Sequence, residues 1–254
     1  MTNLLKQALL LRERPLIGCW TMFGSPLVAE AMAWCDYDLI VIDAEHTPLS
    51  AMGALQSLQA VAGTPCLPLL RLADDNQTMI KQFMDIGGNS LMVPMVDGAD
   101  QARALVRSTR YAPEGNRGVA AMHRASRFGA NSEYTANANN NVLLIAQVET
   151  PKAVEALDDI LSVDGIDAAF VGPGDLSAAM GRMGQGASDD MLRIMEACAK
   201  RAHAAGKPIG ALALNNDMAK RLVEMGFDMV PISNDIAMLT RAARATLEDI
   251  RGKQ

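Results

Sequence analysis

Apolar residues in this chain gather into eight short runs, each closed by polar residues or by glycine and proline. The runs are LIGCW (16–20), LIVIDAE (39–45), CLPLLRL (66–72), SLMVPMV (90–96), VLLIAQVE (142–149), AAFVGPGD (168–175), PIGALAL (208–214) and DMVPISN (228–234). Most are rich in Val, Ile and Leu without strict alternation, the pattern of strands buried on both faces of a parallel sheet. Between them, SAMGALQSLQAVAG, DNQTMIKQFMDIGG, GADQARALVRSTRY, DDMLRIMEACAKRAHAAG and DMAKRLVEMGF carry helical spacing. Several of these end in glycine just ahead of the next strand, as helix C-termini do. The N-terminal MTNLLKQALLLRERP reads as a short amphipathic helix rather than a signal peptide.

Eight strands alternating with helices over 254 residues predict a (β/α)₈ barrel, one domain spanning 1–254, with a doubly wound open sheet as the alternative. A loose echo supports a repeated unit: CDYDLIVID, GGNSLMVPM, DGIDAAFVG and MGFDMVPIS each pass from a turn through a polar residue into a strand. No Pro/Gly/Ser-rich linker divides the chain. Segment 112–141 is too long for a plain connection and reads as an active-site loop carrying a short helix.

Composition narrows the function. The chain is half apolar and a fifth charged, with a net charge of −6. That balance argues against nucleic acid or an anionic membrane as partner. A small anion would need a local arginine or a helix N-terminus. No run is long enough to span a bilayer. Cys19, Cys35, Cys66 and Cys198 lie far apart in largely apolar surroundings. We read them as buried free thiols of a cytoplasmic protein in preference to a disulfide pair.

Candidate chemistry collects where the apolar runs end, the end of a barrel that carries active sites. Trp20 ends the first run; Asp43, Glu45 and His46 end the second; Arg71 ends the third. Gln147 and Glu149 end the fifth, Asp175 follows the sixth, and Asn234 and Asp235 follow the eighth. Glu149 and Asp175 fall about one strand–helix unit apart, so adjacent strands would bring two carboxylates into one space. Such a pair repels unless one is protonated or a cation sits between them. Oxygen-only donors suit a hard divalent ion such as Mg²⁺ or Mn²⁺; solvated loop carboxylates are the plainer alternative, but AQVET and VGPGDLS set both acids directly against apolar strands, which favours the metal.

His46, a lone histidine by default, has carboxylates beside it that could orient a general base. His123 and His203 lack comparable company in the sequence. Arg71 either neutralises the acids or holds a substrate oxygen. The backbone N–H groups of Gly174, Asp175 and Leu176 offer an anion cradle. Of the seven lysines (6, 81, 152, 200, 207, 220 and 253), only Lys152 falls near the mouth, and Pro151 turns it onto a helix, which argues against Schiff-base chemistry.

Taken in order, DAEHTPLS, LLRLADDN, IKQFMDIGGNSLMVPMVDGADQARALVRSTRYAPEGNRGV, AQVETPKAVE and DGIDAAFVGPGDLSAAMG resemble the metal-dependent 2-oxo-acid aldolases of the HpcH/HpaI family over nearly the whole chain. The resemblance implies a (β/α)₈ barrel whose C-terminal helix is exchanged between paired subunits, assembled as a hexamer, a trimer of dimers. It implies a divalent ion (Mg²⁺ or Mn²⁺, with Co²⁺ or Zn²⁺ as alternatives) held by Glu149 and Asp175, with pyruvate or hydroxypyruvate bound at that ion. Arg71 would contact the keto oxygen, the backbone around Gly174 and Asp175 would hold the carboxylate, and His46, oriented by Asp43, would be the base. Asp85 matches a polar position that the family places near a partner subunit's mouth.

The activity so implied is reversible cleavage of a 4-hydroxy-2-oxo acid through a metal-stabilised enolate. Here Ala44 and Thr47 replace Gly and Ala of the usual D-G-E-H-A-P, G-P-G-D replaces G-P-A-D, and ALALNNDMA is distinctive. The chemistry is therefore expected intact and the aldehyde left open. Two alternatives stand beside it: a citrate-lyase-type acyl-CoA lyase, with Arg117, Arg124 and Arg127 on the rim, and a non-catalytic barrel that binds a 2-oxo acid.

Overall fold

Strands form where the apolar runs predict them, and they close on themselves. The computed structural model describes residues 2–252. Its strands are β1 (Leu16–Thr21), β2 (Leu39–Asp43), β3 (Leu67–Arg71), β4 (Ser90–Val93), β5 (Leu143–Val148), β6 (Ala168–Val171), β7 (Ile209–Ala211) and β8 (Met229–Asn234). They pair in parallel in sequence order, and β8 returns to β1, giving a closed (β/α)₈ barrel.

The helices are α1 (Leu4–Leu11), α2 (Pro26–Ala33), α3 (Ala51–Val61), α4 (Gln77–Asp85), α5 (Ala99–Thr109), α6 (Tyr134–Asn137), α7 (Pro151–Glu155), α8 (Leu157–Leu161), α9 (Pro173–Ala179), α10 (Asp189–Ala204), α11 (Asn216–Glu224) and α12 (Asp235–Arg251). Side-chain caps start many of them; Ser50, Asn76, Ser188 and Asn215 each accept a first-turn N–H. Gly206 and Gly226, at φ +73° and +86°, turn the chain out of α10 and α11 toward the next strands.

Alternation within each strand sorts two cores. Leu39, Val41, Leu69, Leu143, Ile145, Ala168, Phe170 and Met229 pack inside the barrel. Ile40, Ile42, Leu70, Leu144, Ala146, Ala169 and Val171 pack outward against the helices. Continuing the inward set by two places reaches Asp43, Arg71 and Gln147, and by two more on β5 Glu149. The same parity that fills the barrel therefore floors its C-terminal mouth with polar groups.

Helix α1 closes the opposite end. Its Leu5 and Leu9 join the inner core, each burial contributing roughly 1.5–3 kcal/mol. Cations on or beside α1 meet the aspartates that precede the strands. Lys6 lies 2.9 Å from Asp167, Arg14 2.7 Å and Arg12 3.9 Å from Asp38 and Asp228 respectively. Each aspartate also accepts a backbone N–H from a neighbouring strand: Ile17 to Asp38, Leu144 to Asp167 and Ile209 to Asp228, at 2.8–3.0 Å. Asn3 donates to Asn89 and Ser90 at the fourth such position. The sequence echo is thus a stitching device for strand starts.

Three expectations are corrected here. Segment 112–141 follows α5 and precedes β5, which puts it at the N-terminal end: Asn3 reaches Asn141 there and Arg124 donates to Ile86. It is no loop over this chain's mouth. His203 and His123 do have acidic company: Nε2 of His203 sits 2.9 Å from Asp228, and His123 packs edge-on to Tyr134, 3.7 Å from Asp85. Cys19, Cys66 and Cys198 are buried free thiols, but Cys35 is exposed.

Candidate active site

Asp43 and Arg71 stand directly opposite in the β2–β3 register. That placement lets the guanidinium reach across bidentately: Nε donates to Oδ1 and Nη2 to Oδ2, both at 2.8 Å. Asp43 is wholly buried, and its Oδ1 also accepts the N–H of Glu45. The remaining terminal nitrogen of Arg71 lies 2.7 Å from Glu45, and its guanidinium stacks 4.3 Å from the centre of the Trp20 ring. Of five N–H groups, two remain for a ligand.

The expectation that Asp43 orients His46 is corrected by this geometry: Asp43 holds Arg71. His46 lies beyond the strand, exposed, with Nε2 3.8 Å from Glu45. Glu45 therefore bridges arginine and histidine, a role that sequence reasoning did not assign to it. Burial raises its pKa against the opposing pull of Arg71 and His46.

Glu149 is almost fully buried. Its Oε2 accepts the Met95 N–H at 3.2 Å, and the Gln147 amide nitrogen touches Oε1. Met95 adopts a left-handed φ of +54°, a strained setting for a non-glycine residue beside a buried carboxylate. Gly172 is required opposite: a Cβ there would collide with Oε1 of Glu149. Burial lifts the Glu149 pKa from 4.5 to about 7; Asp175 and Glu45 push the same way, while the Met95 N–H and Arg71 oppose.

Asp175 stands in the first turn of α9, where the helix dipole favours an anion. The cradle is narrower than expected, because the Leu176 N–H is spent on Gly172 O. Gly174 has open space at its Cβ position, so the departure from G-P-A-D relieves no clash.

These groups share one cavity of about 230 Å³. Trp20, His46, Arg71, Gln147, Glu149, Gly174 and Asp175, all expected from sequence, line it. Met22, Phe170, Leu212 and Leu214 add apolar wall. Parity could have found Phe170; the Met95 N–H left no sequence signal. Asn234 lines the cavity too, whereas Asp235 faces the backbone and accepts the N–H groups of Met22 and Phe23.

A larger cavity, about 610 Å³, lies at the barrel's other end beside Arg117 and Arg124. It lacks the paired carboxylates that line the smaller one. Asp85, at the end of α4, pairs with Arg117 at 2.7 Å there and does not join this chain's mouth. Arg117, placed on the rim by the acyl-CoA alternative, is buried with Asp85, and Arg124 and Arg127 share that far end.

No group of three or more His, Cys, Asp or Glu able to hold a metal occurs among the described residues. Two facing carboxylates, with a buried and unpartnered Gln147 Oε1 beside them, still fit a hard cation that keeps ligand places for water or substrate. Glu149, destabilised as an anion by burial and by Asp175, is a carboxylate that a bound cation would stabilise.

Residues 16–242 match the sequence pattern of the HpcH/HpaI aldolase/citrate lyase family. A hydroxypyruvate/pyruvate aldolase from Roseovarius nubinhibens is 40% identical over 247 residues, covering 97% of this chain and 96% of that one. A 2-keto-3-deoxy-L-rhamnonate aldolase from Klebsiella pneumoniae is 42% identical over 234 residues, covering 92% and 88%. A crystal structure of an HpcH/HpaI aldolase/citrate lyase family protein from Burkholderia cenocepacia superposes with a TM-score of 0.94 at 35% identity, covering 99% of this chain and all of that one.

Proposed function

The chain belongs to the HpcH/HpaI aldolase/citrate lyase family and is an aldolase, a carbon–carbon lyase; from that premise we propose how its residues divide the work. The reaction is reversible cleavage of a 4-hydroxy-2-oxo acid to pyruvate, or hydroxypyruvate, and an aldehyde. The single observation that carries the assignment is the meeting of Glu149 and Asp175 with Arg71 and His46 in one small cavity.

Glu149 and Asp175 would hold a divalent ion, Mg²⁺ or Mn²⁺ by the hardness of their oxygens. Bound there, such an ion supplies Lewis acidity that polarises the 2-oxo acid and makes the C3–C4 bond breakable. Arg71 directs its two spare N–H groups at the keto oxygen, held rigid by Asp43, Glu45 and Trp20. Such pre-aligned donors stabilise charge where it develops. The N–H groups of Gly174 and Asp175 receive the substrate carboxylate. His46, steadied by Glu45, takes the proton of the 4-hydroxyl; the C3–C4 electron pair stays on C3, C4 leaves as the aldehyde carbon, and C3 is then protonated.

Assembly belongs to the same reading. Leu239, Leu247 and Ile250 of α12 are exposed, as are Leu27 and Trp34 on and beside α2. We place α12 against a neighbouring subunit in a homohexamer, an exchange that would cover these side chains. Among the described residues no helix is long and apolar enough to cross a membrane; with three buried free thiols, a reducing cytoplasm fits the chain.

The test is deuterium exchange at pyruvate C3 in D₂O with Mn²⁺, run beside cleavage of 4-hydroxy-2-oxo acids. Both should occur, and both should stop with chelator. Binding without exchange would turn the protein into a passive receptor, and turnover of acyl-CoA esters alone would favour the citrate-lyase alternative. His46→Ala should slow cleavage by roughly 10²–10⁴-fold; an unchanged rate reassigns the base.

A further inference from the structure

Three hydrogen bonds join the loop after β4 to the end of β5. The Met95 N–H donates to Glu149 Oε2 at 3.2 Å, the Val96 N–H to Gln147 O at 3.1 Å, and the Thr150 hydroxyl to Asp97 Oδ1 at 2.5 Å. Residues 95–97 thus lie along residues 147–150, and one of the three bonds falls on the Glu149 carboxylate itself. Met95 presents its N–H from a left-handed backbone, which a non-glycine residue adopts at a cost. Its side chain is exposed, so packing of that side chain does not hold the turn. The residues after it do: Val96 is fully buried in the outer core, and Asp97 is tied to Thr150.

Asp97 and Thr150 both stand where residues cap helices, and capping is the ordinary role for them. Thr150 fills it, since Oγ1 accepts the Ala153 N–H at 3.0 Å at the start of α7. Asp97 does not. It precedes Gly98, the cap of α5, and α5 begins without a side-chain cap. Its Oδ1 accepts instead from Thr150, 53 positions along the chain. Its own N–H donates to Gln101 Oε1 at 2.9 Å, and the Gln101 amide donates to Asp75 beyond β3 at 3.0 Å. Successive loops after β3, β4 and β5 are therefore linked through Asp97 and Gln101.

We propose that Asp97 and Thr150 are positioning residues for Glu149. Their hydrogen bond clamps the loop after β4 onto the end of β5, keeps the Met95 N–H on Glu149 Oε2, and so aims the carboxylate into the cavity for the ion. This deepens the metal assignment proposed above and rests on it. Groups that hydrogen-bond a metal ligand fix its orientation, and losing one costs roughly 10–100-fold in metal affinity.

The test is calorimetric titration of Mn²⁺ into metal-free protein, at a temperature where thermal melts show every variant folded. Wild type and Glu149→Ala come first; equal affinity in those two overturns the metal assignment itself. Given a loss in Glu149→Ala, Asp97→Ala should bind Mn²⁺ roughly tenfold or more weakly than wild type. Asp97→Asn keeps an acceptor oxygen and should recover most of that loss. Thr150→Val should weaken binding in the same way, and Thr150→Ser should restore it. Asp167→Ala, which removes a hydrogen bond at the far end of the barrel, should bind Mn²⁺ as wild type does, so that lost stability alone does not explain the change. Wild-type affinity in Asp97→Ala and Thr150→Val overturns the clamp and leaves the metal assignment standing. A loss that neither Asp97→Asn nor Thr150→Ser recovers overturns it too. Asp97 is half-buried, so Asp97→Ala should fold; if it does not, the Thr150 pair decides the same question.

Discussion

The two ends of this barrel handle carboxylates in opposite ways. At the N-terminal end, Asp38, Asp167 and Asp228 each accept a strand N–H and each lie near a cation from the α1 region. Hydrogen bonding from Arg14 holds the Asp38 pKa below its usual value. At the C-terminal end, burial and neighbouring acids push Glu149 up to about 7. Balanced charge marks the end that stabilises the fold; unbalanced charge marks the end built for a ligand.

Replacing a carboxylate proposed as a metal ligand should have the largest effect on that contrast. Glu149→Ala or Asp175→Ala should lower metal-dependent cleavage by roughly 10³-fold or more, since several kcal/mol of charge stabilisation depend on the ion. Steady-state cleavage under saturating Mn²⁺ checks this; full activity would place the ion elsewhere.

Asp43→Ala comes next. It strands the buried Arg71 without its bidentate partner, a loss of about 3–5 kcal/mol in unfolding free energy. Denaturant titration measures it, and a change below 1 kcal/mol would mean that Glu45 alone suffices.

Acidity then separates the ends by sign. Glu149 has a folded pKa above its unfolded 4.5, so the folded state holds its proton more tightly. Its contribution is present below about pH 4.5 and is lost as pH rises through 7, a fall of up to about 3 kcal/mol in metal-free protein. Asp38 is depressed, so its contribution is present above 3.8 and lost on acidification. Thermal melts of metal-free wild type and Glu149→Gln between pH 5 and 8 should converge at low pH and diverge at high pH. Parallel curves would contradict the assignment.

The smallest effect belongs to the far end. Asp167→Ala removes a partner of Lys6 and of the Leu144 N–H. It should cost about 1–3 kcal/mol of stability and leave kcat unchanged once folded.

Much of this was legible before any coordinates. Eight apolar runs became eight strands, and most of the polar residues ending them became the cavity lining; for Arg71, Gln147 and Glu149 this is because inward parity continues past the last apolar residue. Pairing was not legible. Asp43 precedes His46 by three positions, yet its partner is Arg71, 28 positions away, because register across parallel strands sets side-chain neighbours. The side on which segment 112–141 lies could have been read, since a connection from helix to strand returns to the N-terminal end. Its length drew attention to catalysis instead. Met95 contributes through its backbone, which leaves no trace in residue type.

Calorimetric titration of Mn²⁺ into metal-free wild type and Glu149→Ala tests the central claim most directly. Wild type should bind, more tightly as pH rises through about 7 because Glu149 must shed its proton. The variant should lose affinity by about 100-fold or more. Equal affinity in both proteins, with no dependence on pH, would contradict the account.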